Sequence, residues 1–288
     1  MTLGHVHVHV HGGSGYRRRT MAEAPTPWPR PYFQATSQQT KIFFVCFAKG
    51  ALSDLPLGRS HYGVPECEAL AKIEVREHRR ASDATWFEGW WSGAFGAVAQ
   101  RDLDADLALL TTSDVCFTVG LELPDLPDLT PQQCVWGLSR WLCDRGALVV
   151  LDVHAFHFRS REAVAALDFT SSDVTRDVKL VLETDPTREG LYLMHTRGLC
   201  KFARPELYCF IEPDDASLCG RVMNQCARAL MEGASAPQLR LRLAEGVDVT
   251  TAPSDERSLL ESLGLEAAVE LRRGDGSPLV GIGRLGLG

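Results

Sequence analysis

Two short stretches of the chain hold residue types whose spacing suits chemistry. In LDVHAFHF, residues 151–158, Asp152 and His154 are two positions apart, so a strand would send both side chains from one face. His157 follows where that strand should give way to a loop. One carboxylate and two imidazoles make a partial ligand set for Zn or Fe, which His195 would have to complete from another strand. The competing expectation is structural: Asp152 orients the next turn while the histidines pack with Phe156 and Phe158. No HExxH-type signature supports a metal, and no cofactor is expected.

The second stretch is LYLMHTRGLCKFARPEL, residues 191–207. His195 shares a strand face with Leu191 and Leu193 and is a candidate general base, with Glu183 or Asp152 to orient it. Alternatively its ring bonds a neighbouring carbonyl and holds the turn, while Gly198 takes a positive φ. Arg197 either grips an anionic ligand in a bidentate way or pairs with Glu206 inside the protein. Cys200 invites a Cys/His pairing, but no helix N-terminus or base is evident beside it. For each of these residues the structural reading is favoured. No GxSxG elbow is present, and GIGRLGLG at the end of the chain lacks the following helix that a dinucleotide loop needs.

The elements that must position these residues follow from hydrophobic patterning. KIFFVCFA from Lys41 reads as a buried strand. Val64 to His78 is ambiguous between helix and strand. Trp86, Trp90, Trp91 and Phe95 fall broadly on one helical face within Thr85–Gln100 and suit a core, or else an exposed patch for a protein partner. Leu107–Thr111 and Val115–Leu123 read as strands. A helix should start at Thr130 as N-cap with Pro131 behind it and stop at Gly146. Leu148–Ala155 follows as a strand, and a helix near Arg161–Leu167 comes next. Val178, Leu180 and Leu182 alternate with polar residues as a strand whose hairpin partner is Leu191–His195. Leu207–Ile211 is another strand, and Asp214 or Asp215 starts a long helix. A helix near Glu256–Leu263 and a terminal hairpin, Ala267–Arg272 with Leu279–Ile282, close the chain. The fold class is α+β, with a mixed, largely antiparallel sheet and helices packed mainly on one side. Residues 1–40 are expected to be a disordered or mis-annotated extension, 41–235 the main domain, and 236–288 an α+β extension packed on it.

At 288 residues with 45% hydrophobic and 23% charged side chains, the chain is of ordinary globular composition. A formal charge of −7 argues against a nucleic-acid surface. Only five of the thirty basic residues are lysine, an arginine bias that GC-rich bacterial coding explains as well as phosphate recognition does. The nine cysteines show no CxxC and sit mostly in apolar segments, the usage of a reduced cytosolic protein. The longest apolar run, IFFVCFA, is far shorter than a membrane span, and the N-terminus has no apolar signal core. A cytoplasmic protein is expected.

His5, His7, His9 and His11 alternate in HVHVHVH and suit Ni, Zn or Cu in an extended tail. The favoured expectation is that translation starts at Met21, which would remove Arg17, Arg18 and Arg19 and leave the chain more acidic.

HTRGLCKFARPEL resembles a signature of uncharacterised bacterial domain-of-unknown-function proteins. In that signature a His-Thr-x-Gly-Leu or -Met turn precedes a small residue and Pro-Glu or Pro-Asp. His195, Thr196, Gly198, Pro205 and Glu206 match it, while Ala203 stands where glycine is usual. The similarity extends from Lys41 to Met231 and is specific over the signature alone. It implies a fold and a bacterial setting, and no reaction. Because a chain this long shows no catalytic motif, a non-catalytic binding or accessory protein, of the immunity kind and acting through a protein interface, is expected. The alternative is a small hydrolase using His195 with Asp152 and His154, with or without a metal. Oligomeric state is not legible.

Overall fold

A computed structural model describes residues 25–184, 188–242, 248–254 and 267–281, with Glu256, Ser258, Glu261 and 263–265. The histidine tail and half of the expected 256–263 helix lie outside the described residues. The fold is α+β, and its mostly antiparallel strands divide between two sheets, each in its own compact unit. Among the described residues, unit 1 holds 25–28, Lys41–Leu123 and Leu129–Ser172; unit 2 holds Pro29–Thr40, Pro124–Asp128 and the chain from Asp173. The division falls near residue 172, not at the expected 235. The reason is that the segment beyond 235 supplies strands to the same sheet as the signature stretch.

In unit 1, β1 (Gln39–Ala48) is followed by β2 (Glu74–Arg79). Next come α1 (Ala84–Gly89), α2 (Gly93–Leu103) and α3 (Leu107–Thr111). The unit continues with β3 (Val115–Pro124), α4 (Thr130–Arg145), β4 (Ala147–Asp152), β5 (His157–Ser160) and α5 (Arg161–Ala165). The sheet order is β2-β3-β1-β4-β5. Alternation on β1 and β4 sends Val45, Phe47, Val149 and Leu151 into a core with Phe87, Ala99 and Leu110, which belong to α1–α3. Phe44 points the other way and meets Trp136 of α4 edge-on, with ring centroids 4.8 Å apart. Helices lie against both faces of this sheet, which is why the middle of its central strand, Ile42–Ala48, is an unbroken apolar run.

Several expected elements differ: the expected 148–155 strand stops at Asp152, which leaves His154 in the turn, and His157 opens β5. LALLT at 107–111 is a helical turn and not a strand, since so short an apolar run fits either. The tryptophan segment is two helices, broken at Trp90–Ser92, and its three indoles are partly buried against the core.

Helix α4 ends as expected, with Gly146 at φ +124°, but its N-cap is Leu129, and Thr130 is its first residue. It is buried almost throughout because the loop before β2 runs along it. Trp141 Nε1 donates to the Leu55 carbonyl at 2.8 Å, and Tyr62 Oη to Asp144 Oδ2 at 2.9 Å. Only glycine fits at 137, where a Cβ would lie 2.3 Å from Val64 Cγ2.

In unit 2, α6 (Val174–Asp177), β6 (Lys179–Thr184), β7 (Tyr192–Arg197) and β8 (Glu206–Ile211) precede α7 (Ala216–Met231). The chain then forms β9 (Arg240–Arg242), β10 (Asp248–Pro253) and β11 (Ala268–Arg273). The sheet order is β6-β7-β8-β11-β10-β9; β11 joins β8 in parallel, and the other pairs are antiparallel. The expected terminal hairpin is reduced to a bridge between Arg272 and Pro278, because β11 already has β8 and β10 as partners. Nor is the lead-in flexible as far as residue 40: Trp28 and Arg30 are 3% and 5% exposed.

Candidate functional site

The signature stretch forms a hydrogen-bonded knot at the ends of β7 and β8. After Arg197 the chain turns at Gly198 (φ +110°), makes a 3-10 turn over Leu199–Phe202 and turns again at Ala203. The buried Glu206 carboxylate receives Thr196 Oγ1 at 2.7 Å and the Gly198 and Leu199 amides at 2.9 Å each. The Thr196 oxygen in turn accepts the Leu207 amide at 2.8 Å. Burial pushes the Glu206 pKa up, and these donors pull against it. Threonine and glutamate in the signature therefore close the turn by satisfying its backbone donors. Ala203 lies in the left-handed region at φ +54°, ψ +42°, where glycine is the easier residue.

His195 is fully buried between strands, register-paired with Val181 and Tyr208. Its Nδ1 lies 3.2 Å from the Thr196 carbonyl and so carries the proton, while Nε2 faces Glu183 Oε1 at 3.6 Å. Burial is the main reason its pKa falls below 6.5, opposed in part by the Thr196 carbonyl and Glu183. Such an imidazole is neutral and shielded, suited to holding the strand end more than to meeting a substrate. Arg197 Nη2 donates to the Leu263 carbonyl at 2.5 Å.

A second cluster in unit 2 was not legible in the sequence. The Asp125 carboxylate lies between two buried guanidiniums, with Arg30 Nη1 at 2.5 Å from Oδ1 and Arg204 Nη1 at 2.7 Å from Oδ2. The remaining Arg204 donors reach the carbonyls of Gln34, Gly233 and Ala234, and Arg30 reaches those of Leu126, Phe202 and Met231. Burial lowers the Arg30 pKa, and Asp125 offsets this only in part. The cluster ties the segment 29–40, the 124–128 loop, the signature turn and the end of α7 into one piece. The arginine fork is what allows this, since a lysine could not reach so many acceptors in fixed directions.

Beside the cluster opens a cavity of about 740 Å³, walled by Tyr32, Gln34, Asn224, Arg228, Arg240 and Arg242, among others. The cluster shapes two of its walls: Gln34 and Ala234 line the cavity, and both give their carbonyls to Arg204. Arg242 approaches Asp248 at 4.0 Å. Among the described residues the Arg228 and Arg240 side chains form no ion pair, and the cavity lining holds three arginines, Arg228, Arg240 and Arg242, against one carboxylate, Glu232. No pattern in an arginine-rich sequence marks these residues in advance.

The other sequence candidates are divided. Asp152, His154 and His157 belong to unit 1 and His195 to unit 2. Asp152 is buried and accepts the Ala155 amide at 3.1 Å, orienting the turn as its structural reading has it. It also pairs in register with His157 across β4 and β5. Among the described residues no three His, Cys, Asp or Glu side chains are grouped to hold a metal ion. Cys200 is half-buried in the 3-10 turn. No helix among the described residues is long and apolar enough to cross a membrane. No family model, curated protein or solved structure matches the chain.

Proposed function

We propose that the chain is a non-catalytic binding or accessory protein of the immunity kind, acting in a bacterial cytoplasm through its unit 2 cavity on a protein partner that offers carboxylates. The observation that carries this reading is the contrast within unit 2. Thr196, Glu206, Arg30, Asp125 and Arg204 spend their polar atoms on internal hydrogen bonds, while Arg228 and Arg240 present theirs to an open cavity. In a chain of net charge −7 such a local basic site selects for an anionic partner and steers its approach.

Titration of a glutamate-rich peptide into the full chain tests it. Binding that weakens with salt and is lost in an Arg228→Ala, Arg240→Ala double variant is the expected result. Equal binding by the double variant, or none at low salt, would overturn it. The second reading, a hydrolase built on His195, is favoured only by the unbonded Nε2 facing Glu183. Turnover of ester substrates that vanishes in His195→Gln, with the fold intact, would favour it instead.

A further inference from the structure

Two of the nine cysteines are placed to react with each other. Cys67 Sγ and Cys134 Sγ lie 3.5 Å apart, within thiol hydrogen-bond distance and with no disulfide between them. Cys134 is fully buried in the first turns of α4, whereas Cys67 is half-buried at the end of the loop that runs along that helix. Seven of the nine cysteines are buried, Cys134 among them, so in this pair only Cys67 offers its thiol to solvent. The pair also belongs to a line of contacts along α4. Ser53 bonds the Arg145 carbonyl, Leu55 takes Trp141, Tyr62 reaches Asp144, and Val64 closes on Gly137. Cys67 and Cys134 form a further rung, and that rung is the one able to become covalent.

We propose that Cys67 and Cys134 are a redox-modification site that takes a low-molecular-weight disulfide of the glutathione type as its oxidant. The Cys67 thiolate attacks one sulfur of that disulfide, forming a mixed disulfide and expelling one thiolate, which takes up a proton. Cys134 then attacks the Cys67 sulfur and gives its proton to the departing small thiolate; the Cys67–Cys134 bond forms and the second small thiol leaves. Two electrons pass from the protein pair to the oxidant, which ends as two thiols. The sulfurs must close by roughly 1.5 Å to reach bonding distance, a shift of side chains and the loop end. The product clasps the loop to α4, and excess small thiol reverses it. This modification is independent of the unit 2 cavity and of any binding there.

Treating the folded full chain with oxidised glutathione, followed by alkylation and peptide mass mapping, tests the proposal. The expected product is a Cys67–Cys134 cross-linked peptide that disappears on reduction. Tryptic cleavage after Arg59 in the oxidised protein should slow by about ten-fold relative to the reduced one. A Cys134→Ser variant should stop at the mixed disulfide on Cys67, and Cys67→Ser should give no cross-link at Cys134. The proposal is overturned if the wild-type chain halts at the mixed disulfide, stays reduced, or joins either cysteine to a different one. Unchanged cleavage after Arg59 in cross-linked protein would overturn the clasp.

Discussion

Asp125 and Arg204 meet at 2.7 Å with both side chains almost wholly excluded from water, and Arg30 completes the cluster from the other carboxylate oxygen. That carboxylate is hydrogen-bonded to both cations, and Asp128 adds only a smaller attraction for Arg30. Removing it leaves buried charge uncompensated, which costs far more than the net worth of the pair.

Asp125→Ala should therefore destabilise the chain by about 3–5 kcal/mol. Arg204→Lys should lose a comparable amount, because an ammonium cannot replace the fork. Urea unfolding followed by tryptophan fluorescence and far-UV dichroism measures both. A loss below about 1 kcal/mol would show that the cluster is not a fastening point.

Thr196 is the other closure. Thr196→Val keeps the shape but leaves Glu206 short of one donor and the Leu207 amide without its acceptor, at a cost of about 1–3 kcal/mol. Thr196→Ser retains the hydroxyl and should recover most of that. Denaturant midpoints of the three proteins decide it, and equal losses in both variants would move the effect to the methyl group.

His195 gives a pH signature. Its folded pKa lies below 6.5, so below that value the unfolded chain binds more protons than the folded one. Stability then rises with pH through the window, and is lost as pH falls from 6.5 toward the folded value. Protonation would give Nε2 a proton for Glu183, which opposes the loss, but burial is the larger effect. His195→Gln should flatten the slope of unfolding free energy on the acid side of 6.5 by up to about 1 kcal/mol per pH unit. An unchanged slope in the variant would remove His195 from the pH response.

Ala203 sits in left-handed backbone without glycine's freedom. Ala203→Gly relieves strain but gives up a buried methyl and gains unfolded-state entropy, so its stability should stay within about 0.5–1 kcal/mol of the parent. Ala203→Val brings a β-branched side chain into the same conformation and should cost about 2 kcal/mol or more. Thermal unfolding of both variants separates conformational strain from packing.

What the sequence made legible was local. Alternation marked the strands around His195, and a proline start with a glycine stop marked α4 to within a residue of its cap. Leu107–Thr111 was not legible, because five apolar-rich positions satisfy a helical turn and a strand alike. The partner of β11 was misjudged because nearest-neighbour hairpin logic does not anticipate a parallel return to β8. In the candidate site, Glu206 was noticed as a charge for Arg197, yet its oxygens serve the backbone amides of the turn. Arg30, Asp125 and Arg204 gave no signal at all, since each stands alone in a different segment and becomes meaningful only when the fold brings them together.

The interleaving of the two units has a consequence for synthesis. Arg30 bonds the Phe202 carbonyl across 172 positions, and between them most of unit 1 must emerge from the ribosome. At roughly 5–20 residues per second, Arg30 and the surfaces around it wait on the order of ten to thirty seconds for their partners. Unit 1 has all its strands once Ser160 is out, whereas unit 2 waits for β11. The nascent chain thus carries an early-completed unit alongside the unsatisfied beginnings of a late one, and that interval is when it most needs protection from aggregation.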